Sequence, residues 1–313
     1  MMEQKTIEAT SGAEESRRSP TLHDLTRSIM PVPVERVGGP VSCRKQDVVA
    51  IEEPLQIRLN YEWESDRVER DVAITMRTPG HDVDLAAGFL FSEGILQSAD
   101  QILRIRHTDR AYSADGNRNS VTIDLVPGVD FDFQRLDRNF FVSSSCGVCG
   151  KVSIEAVRSR ICFPLPSETP LIEIAVIQGL PGTLRQAQSV FDQTGGLHAA
   201  ALFDASGDLL SLREDVGRHN AVDKLIGAEF LQARLPLREA LLLVSGRASF
   251  ELVQKALMAG IPIMIAVGAP SSLAVEMALR SRMTLVGFLR GERFNVYSGD
   301  FRIRGLEKQE KQA

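Results

Sequence analysis

Apolar and polar residues alternate in short runs over the first third of the chain, then settle into strands alternating with helices. Residues 48–51 and 55–59 read as strands separated by Glu52-Glu53-Pro54, and Pro54 predicts an edge or a turn there. Residues 72–76 form another apolar run. Thr78-Pro79 then opens a helix, with Leu85 and Phe89 on its apolar face. Asp115-Gly116-Asn117 reads as a hairpin turn ahead of a strand at 121–126. The periodicity breaks at 142–150, V-S-S-S-C-G-V-C-G, where small residues and glycines predict a loop. Ile154, Val157 and Ile161 resume helical spacing, so this loop lies at or just before a helix N-terminus.

After a proline-rich connector at 162–170, the pattern becomes regular. Helices are expected at 182–193 (stopped by Gly195-Gly196), 218–231, 248–259 and 271–281. Strands are expected at 198–203 and 209–212, joined by a hairpin, then at 241–244, 261–267 and 283–288, with 294–297 pairing last. Apolar strands alternating with helices predict an α/β layer with a largely parallel core, preceded by a smaller strand-rich subdomain. The expected division is a polar tail at 1–28, an N-terminal α+β unit at 29–141, the cysteine loop and helix at 142–161, the α/β unit at 162–305 and a tail at 306–313.

Composition narrows the function classes. The 313 residues are 43% hydrophobic and 25% charged, which is ordinary globular composition. No apolar run approaches the ~20 residues of a membrane helix. The polar N-terminus has no secretory signal, so four cysteines are expected to be reduced thiols in a cytoplasm. A net charge of −5 argues against general nucleic-acid binding but leaves room for a small basic pocket.

The strongest chemical signal is Cys146-Gly147-Val148-Cys149-Gly150. Two thiols at this spacing can chelate a metal, form a disulfide or hand a sulfur atom between them, and a nearby helix N-terminus favours the reactive thiolate. A structural zinc site wants four ligands; Cys43 and Cys162 are unpaired in sequence, so His198 or His219 would have to complete it. Residue types alone do not choose between a redox pair and a sulfur carrier.

Three further clusters fall where strands meet helices. Residues 213–224, R-E-D-V-G-R-H-N-A-V-D-K, crowd acids, bases and an imidazole, and fit a binding edge and a salt-bridged helix start capped by Asp215 equally well. Ser245-Gly246-Arg247-Ala248-Ser249 opens a helix after an apolar strand and suits a phosphate, although it lacks the P-loop and dinucleotide glycine patterns. Residues 287–294, G-F-L-R-G-E-R-F, set two arginines around a glycine after the last core strand, either as an ordinary turn or as an anion grip.

Taken together, the chain resembles the FdhD family of formate dehydrogenase accessory sulfurtransferases. The resemblance rests on G-F-L-F-S-E-G-I at 88–95, C-G-V-C-G at 146–150, H-A-A-A at 198–201, E-D-V-G-R-H-N-A-V-D-K-L at 214–225, S-G-R-A-S-F-E-L-V-Q-K-A at 245–256 and T-L-V-G-F at 284–288. It implies a carrier that takes persulfide sulfur from a cysteine desulfurase. The carrier passes that sulfur to the molybdenum of bis(molybdopterin guanine dinucleotide) for the formate dehydrogenase apo-enzyme. It further implies Cys146 as the persulfide residue and Cys149 as its assistant. Phe288, Leu289, Arg290, Gly291, Glu292 and Arg293 become the cofactor-binding stretch, with Ser245, Arg247, Arg218 and His219 as further candidates. A cytidine-deaminase-like α/β fold, a homodimer and a cytoplasmic location follow from the same resemblance. Two alternatives stand beside it. One is a non-catalytic chaperone that only holds the cofactor. The other is a zinc deaminase, against which no His is followed two residues later by Glu and Ser145, not Pro, precedes Cys146.

Overall fold

The computed structural model describes residues 28–38, 42–64, 66–107, 119–129 and 163–306. The tail at 1–27, the Asp115-Gly116-Asn117 turn, the cysteine loop with its expected helix and residues 307–313 lie outside the described residues. Strands β1 (Ile29–Val37) and β2 (Ser42–Ala50) form an antiparallel ribbon. The strand expected at 48–51 is therefore the end of a longer element, whose polar beginning hides it from a hydrophobicity pattern.

A four-stranded sheet follows, built from β3 (Glu53–Trp63), β4 (Asp66–Arg77), β5 (Ile102–His107) and β6 (Ser120–Leu125) in the order β4-β3-β6-β5. Leu55, Ile57 and Leu59 alternate inward, and β6 is buried along its whole length. Pro54 sits in an inner strand, not at an edge, but ahead of Gln56, where pairing with β6 begins, so no ladder bond is lost on that side. Helix α1 (Asp82–Ser92) covers this sheet. It starts later than Thr78-Pro79, because Gly80 (φ 107) and His81 (φ 56) turn the chain through left-handed conformations first.

The larger sheet runs β13-β12-β11-β10-β8-β9, from β8 (His198–Phe203), β9 (Leu209–Asp215), β10 (Leu241–Val244), β11 (Ile263–Ala266), β12 (Thr284–Arg290) and β13 (Arg293–Ser298). Only β10, β11 and β12 are mutually parallel; the β8–β9 and β12–β13 hairpins make both edges antiparallel. The fold is thus mixed α/β, and the expected parallel core is confined to the centre. The predicted hairpin between β8 and β9 closes on Asp204, whose Oδ1 accepts the Ser206 and Asp208 amides at 2.8 and 3.0 Å.

Alternate residues of the central strands serve opposite faces. Leu242, Val244, Met264, Ala266 and Leu285 face helices α4 (Arg218–Leu231), α5 (Phe250–Met258) and α6 (Ser272–Arg280) and merge with the core of the smaller sheet. Leu241, Leu243, Ile263, Ile265 and Val286 face α2 (Ile174–Ala187). Short strands β7 (Ile172–Glu173) and β14 (Ile303–Arg304) pair beside α2. The helix expected at 182–193 is in fact α2 plus a separate α3 (Ser189–Thr194), broken at Gln188. Its true start lies before Pro181, because the buried series Ile177, Leu180, Leu184 carries the helical period through the proline. Tertiary packing here overrides a strong local breaker.

Helices α1 and α4 cross with their backbones almost touching. A methyl on Gly88 would stand 1.9 Å from the Asp223 carbonyl oxygen, and one on Gly227 would stand 1.9 Å from that of Asp84. This contact joins the two sheets into one core. Among the described residues no helix is long and apolar enough to cross a membrane.

Candidate functional site

The carboxyl ends of parallel strands are where α/β sheets bind ligands, because the helices that follow present their free amides there. In this chain the turns after β10, β11 and β12 are sewn to one another by backbone bonds. The Gly268 amide donates to the Gly246 carbonyl, and the Phe288 amide donates to the Gly268 carbonyl, both at 3.0 Å. A side chain at Gly268 would meet Gly246 and Arg247 at 3.0–3.2 Å, and one at Gly287 would meet Pro270 at 2.9 Å. The glycines are required by this close approach of turns. The crest is consequently rigid, and the residues on it are held in fixed positions.

Arg218 and His219 open α4 beside this crest, and Ser249 precedes α5. The helix starts at Gly217 and Ser249 receive no side-chain cap, in contrast to α6, where Ser271 accepts the Ala274 amide. His219 Nε2 lies 3.3 Å from Ser249 Oγ and 3.9 Å from Glu251 Oε2. Burial drives the His219 pKa down to about 4, helped by the positive charges of Lys255 and Arg218 and opposed by Glu251. His198, at the start of β8, is also pushed down by burial and by Arg218. Both imidazoles are therefore neutral near pH 7 and offer hydrogen bonds, not charge. Gly246 lies between His198 and Arg218: a Cβ there would sit 3.4 Å from His198 Nδ1 and 3.7 Å from Arg218 Cδ. Arg218 Nε is shut off from solvent and finds no hydrogen-bond acceptor among the described residues.

The rest of the same motif points elsewhere. Asp215 is fully buried and sits 2.7 Å from Lys224 Nζ. It also accepts the Gly217 amide at 2.8 Å, Asn220 Nδ2 at 3.1 Å and the Thr78 amide at 3.2 Å. Lys224 donates on to the Thr78 carbonyl at 2.8 Å. Asp223 is gripped by Lys255 at 2.6 and 2.8 Å and by Ser92 Oγ at 2.9 Å; burial still raises its pKa against the pull of Lys255. Arg213 pairs with Asp84 at 2.9 Å, and Arg77 makes a two-pronged bond to Asp82 at 2.9 Å. This lattice ties the smaller sheet to α4 and fixes where α4 begins. The expected cap, Asp215, does not cap α4, whose N-cap is Gly217; Asp215 is instead fully buried, holds the Gly217 amide and is paired to a buried lysine.

The hairpin candidates divide as well. Phe288 is 42% exposed at the crest with a left-handed backbone, φ 57. Such a conformation is costly for a non-glycine residue and tends to mark functional positions. Leu289 is buried on the α2 face, so its side chain belongs to the core. Arg290 and Arg293 are paired across the tip, with Gly291 at φ 56 making the turn. Gln178 of α2 donates to the Glu292 carbonyl at 2.9 Å and steadies the tip. Ser245 Oγ accepts the Ala199 amide at 2.9 Å, while Arg247 is exposed beside it.

The structure thus brings Ser245, Arg247, Arg218 and His219 together and sets Phe288 on the same crest. Cys146 and Cys149 lie outside the described residues, as does Cys162; Cys43 is exposed on β2. Sequence reasoning left Gly268 out of the site, named Ser249 only as the end of the 245–249 stretch, and considered His198 only as a zinc ligand. The H-A-A-A run at 198–201 was the available signal for His198, but β8 joins the crest only through antiparallel pairing with β10, which no local pattern reveals.

Comparison with known proteins agrees with this architecture. The model of the FdhD/NarQ family matches residues 50–304. A protein of Streptomyces avermitilis named "Sulfur carrier protein FdhD" is 53% identical over 268 residues, covering 85% of this chain and 92% of its own. One of the same name from Mycobacterium tuberculosis is 46% identical over 263 residues, covering 83% and 92%. A crystal structure assigned as a formate dehydrogenase accessory protein from Desulfotalea psychrophila aligns with TM-score 0.66 and 26% identity, covering 88% of this chain and 99% of its own. With a family model spanning most of its length and relatives this close, the chain belongs to the FdhD/NarQ family.

Proposed function

We propose that this chain is a cytoplasmic sulfur carrier that serves formate dehydrogenase maturation. The carrying observation is that relatives matched over about nine-tenths of their own length bear the name of a sulfur carrier. In this reading the Cys146 thiolate attacks the outer sulfur of a cysteine desulfurase persulfide. The donor's S–S bond breaks, the donor leaves as a thiolate, and Cys146 holds the new persulfide. The acceptor substrate is the molybdenum of bis(molybdopterin guanine dinucleotide). The Cys146 persulfide bond then breaks, its inner sulfur returns as thiolate, and the outer sulfur, taking two electrons from the reduced metal, becomes a sulfido ligand. Cys149 assists by thiol exchange during loading.

The crest supports an anionic acceptor. Arg218 and Arg247 supply positive charge there, His198 and His219 supply neutral hydrogen-bonding groups, and Phe288 exposes an aromatic face. The paired Arg290 and Arg293, with Gly291 and Glu292 between them, add a second cationic element, and Leu289 anchors it. A ligand of phosphates and fused heterocycles suits that set. A homodimer and contact with the formate dehydrogenase apo-enzyme complete the reading.

The test is loading of the full chain with cysteine and a purified cysteine desulfurase, followed by intact mass and peptide mapping. One added sulfur is expected on the Cys146 peptide, absent in Cys146→Ala. A target enzyme activated equally well in a Cys146→Ala background would replace the carrier with a cofactor-holding chaperone.

A further inference from the structure

The geometry points to the free edge of β2 as the surface on which two copies of this chain join, in one antiparallel register centred on Gln46. The inference rests on the homodimer reading above and adds the surface and the residues that make it. β1 and all but the last residue of β2 precede the residues 50–304 that the family model matches. The ribbon is a sheet of its own, and residues 42–47 are exposed throughout, although α3 packs beside β2. A two-stranded ribbon exposed in this way is marginal in water, and further strands stabilise it. Its two edges differ. The Ile51 amide donates to the Ser28 carbonyl at 2.9 Å, and the register pairs Pro31 with Val48 and Pro33 with Gln46. Bonding alternates along an antiparallel ladder, so even-numbered residues of β1 and odd-numbered residues of β2 bond inward. The outward positions of β1 therefore include Pro31 and Pro33, which have no amide to offer and close that edge to another strand. The outward positions of β2 are Ser42, Arg44, Gln46, Val48 and Ala50, none of them proline. The outward amide of Val48 donates to the adjacent Asp47 Oδ1 at 2.9 Å, not to another strand.

The charges on this edge fit a second copy of the same strand. Lys45 and Asp47 lie on one face, across from Val34 and Val32, and neither has an ion-pair partner among the described residues. A two-fold pairing of the open edges must set even residues against even residues, and it places the same surface on both copies. Centred on Gln46, it sets Lys45 against Asp47 of the second copy, and the symmetry repeats that pair. It also sets Arg44 against Val48 and Cys43 against Val49. Centring on Arg44, Lys45 or Asp47 instead opposes that residue to its own like charge. Opposite charges directly across a ladder stabilise it, and like charges destabilise it. Asp47 then releases the Val48 amide to the new ladder and takes up the lysine. The joined ribbons make a four-stranded sheet, with Val32, Val34 and Val49 of both copies gathered on one face.

The full chain is followed by sedimentation equilibrium over a range of concentrations, and a concentration-dependent dimer is expected. Lys45→Asp and Asp47→Lys should each raise its dissociation constant about tenfold, because two pairs turn from attraction to repulsion. Combining the two substitutions should restore the dimer, since the pairs are then exchanged and not lost. Both positions are exposed, so neither reversal disturbs the fold. Position 49 faces Cys43 of the second copy at about 4.5 Å between Cα atoms, within disulfide reach. Along one strand the two positions are about 20 Å apart, so a link between them joins two copies. Diamide oxidation of Val49→Cys should give a covalent dimer linked from 43 to 49, identified by peptide mass and lost when Cys43→Ser is added. A chain that stays monomeric would overturn the interface and the homodimer reading together. A dimer indifferent to both charge reversals, or one in which Val49→Cys forms no link to Cys43, would place the dimer on another surface and overturn the interface alone. Sulfur loading of Cys146, followed in the same samples, tests the carrier separately from either.

Discussion

Two clusters of charge grow from a single twelve-residue stretch, and they behave in opposite ways. At the seam between α1 and α4, Asp215, Asp223 and Lys224 are buried and every one is paired. At the crest, Arg218 is half-buried with its Nε unmatched among the described residues, and His219 is held neutral. For Asp223 and Lys224 against Arg218 and His219, the difference lies in which side of α4 each occupies; Asp215, at the end of β9, is buried against Lys224. Residues turned toward α1 must satisfy their charges internally, because no water reaches them. Residues turned toward the turns after β10 and β11 keep unspent hydrogen-bonding capacity, and that capacity is what a ligand can use. Charged residues in a motif are thus ambiguous until their partners are known.

The largest effect that would sharpen this contrast comes from the seam. Lys224→Met removes the only cation within bonding distance of the fully buried Asp215 among the described residues and should destabilise the fold by about 3–5 kcal/mol. Chemical denaturation measures it, and adding Asp215→Asn should return part of the loss. A single variant that unfolds at the wild-type midpoint would show that the seam is not the fold's electrostatic clamp. Next is Gly227→Ala. Its methyl would meet the Asp84 carbonyl at 1.9 Å, backbone against backbone, so neither helix can yield locally. The expected cost is at least the upper part of about 1–3 kcal/mol, read as a fall in the denaturation midpoint at unchanged slope.

The smallest effect belongs to the crest and depends on pH. His219 has a folded pKa of about 4, below the ordinary value for histidine, because of burial and the nearby Lys255, Arg218 and His198, with Glu251 opposing. As pH falls below about 6.5, the unfolded chain takes a proton that the folded site refuses until about pH 4, so stability is lost across that window. The loss is at most about 3 kcal/mol and, with the side chain 19% exposed, nearer about 1–2. His219→Gln should flatten the decline by that amount in denaturation runs across the window. An unchanged acid slope would mean that His219 is protonated in the folded site.

Much of this was legible in the residues. The apolar runs at 241–244 and 263–266 announce buried strands, and the Asp204 turn announces a hairpin, because these features depend on neighbours in sequence. Gly246, Gly287 and the R-H pair at 218–219 stood out as candidate chemistry for the same reason. Other features were hidden. Pro181 stopped the predicted helix where a packed face carries the real one through, and β8 is placed beside β10 by a long-range antiparallel ladder. The antiparallel pairing of β8 with β10 and of β12 with β13 was masked because a strand's direction leaves no trace in its hydrophobicity.

By itself, the sequence determined the alternation of strands and helices, the mixed α/β class and the positions where glycine, arginine and histidine gather at strand ends. Those properties follow from local period and backbone preference. Only the tertiary structure decided which charges are clamps and which are free, that Gly88 and Gly227 exist to let two helices touch, and that His198 meets Arg218 across Gly246. Pairing and burial depend on elements distant in the chain, and electrostatic character is set by what surrounds a group, not by the group alone.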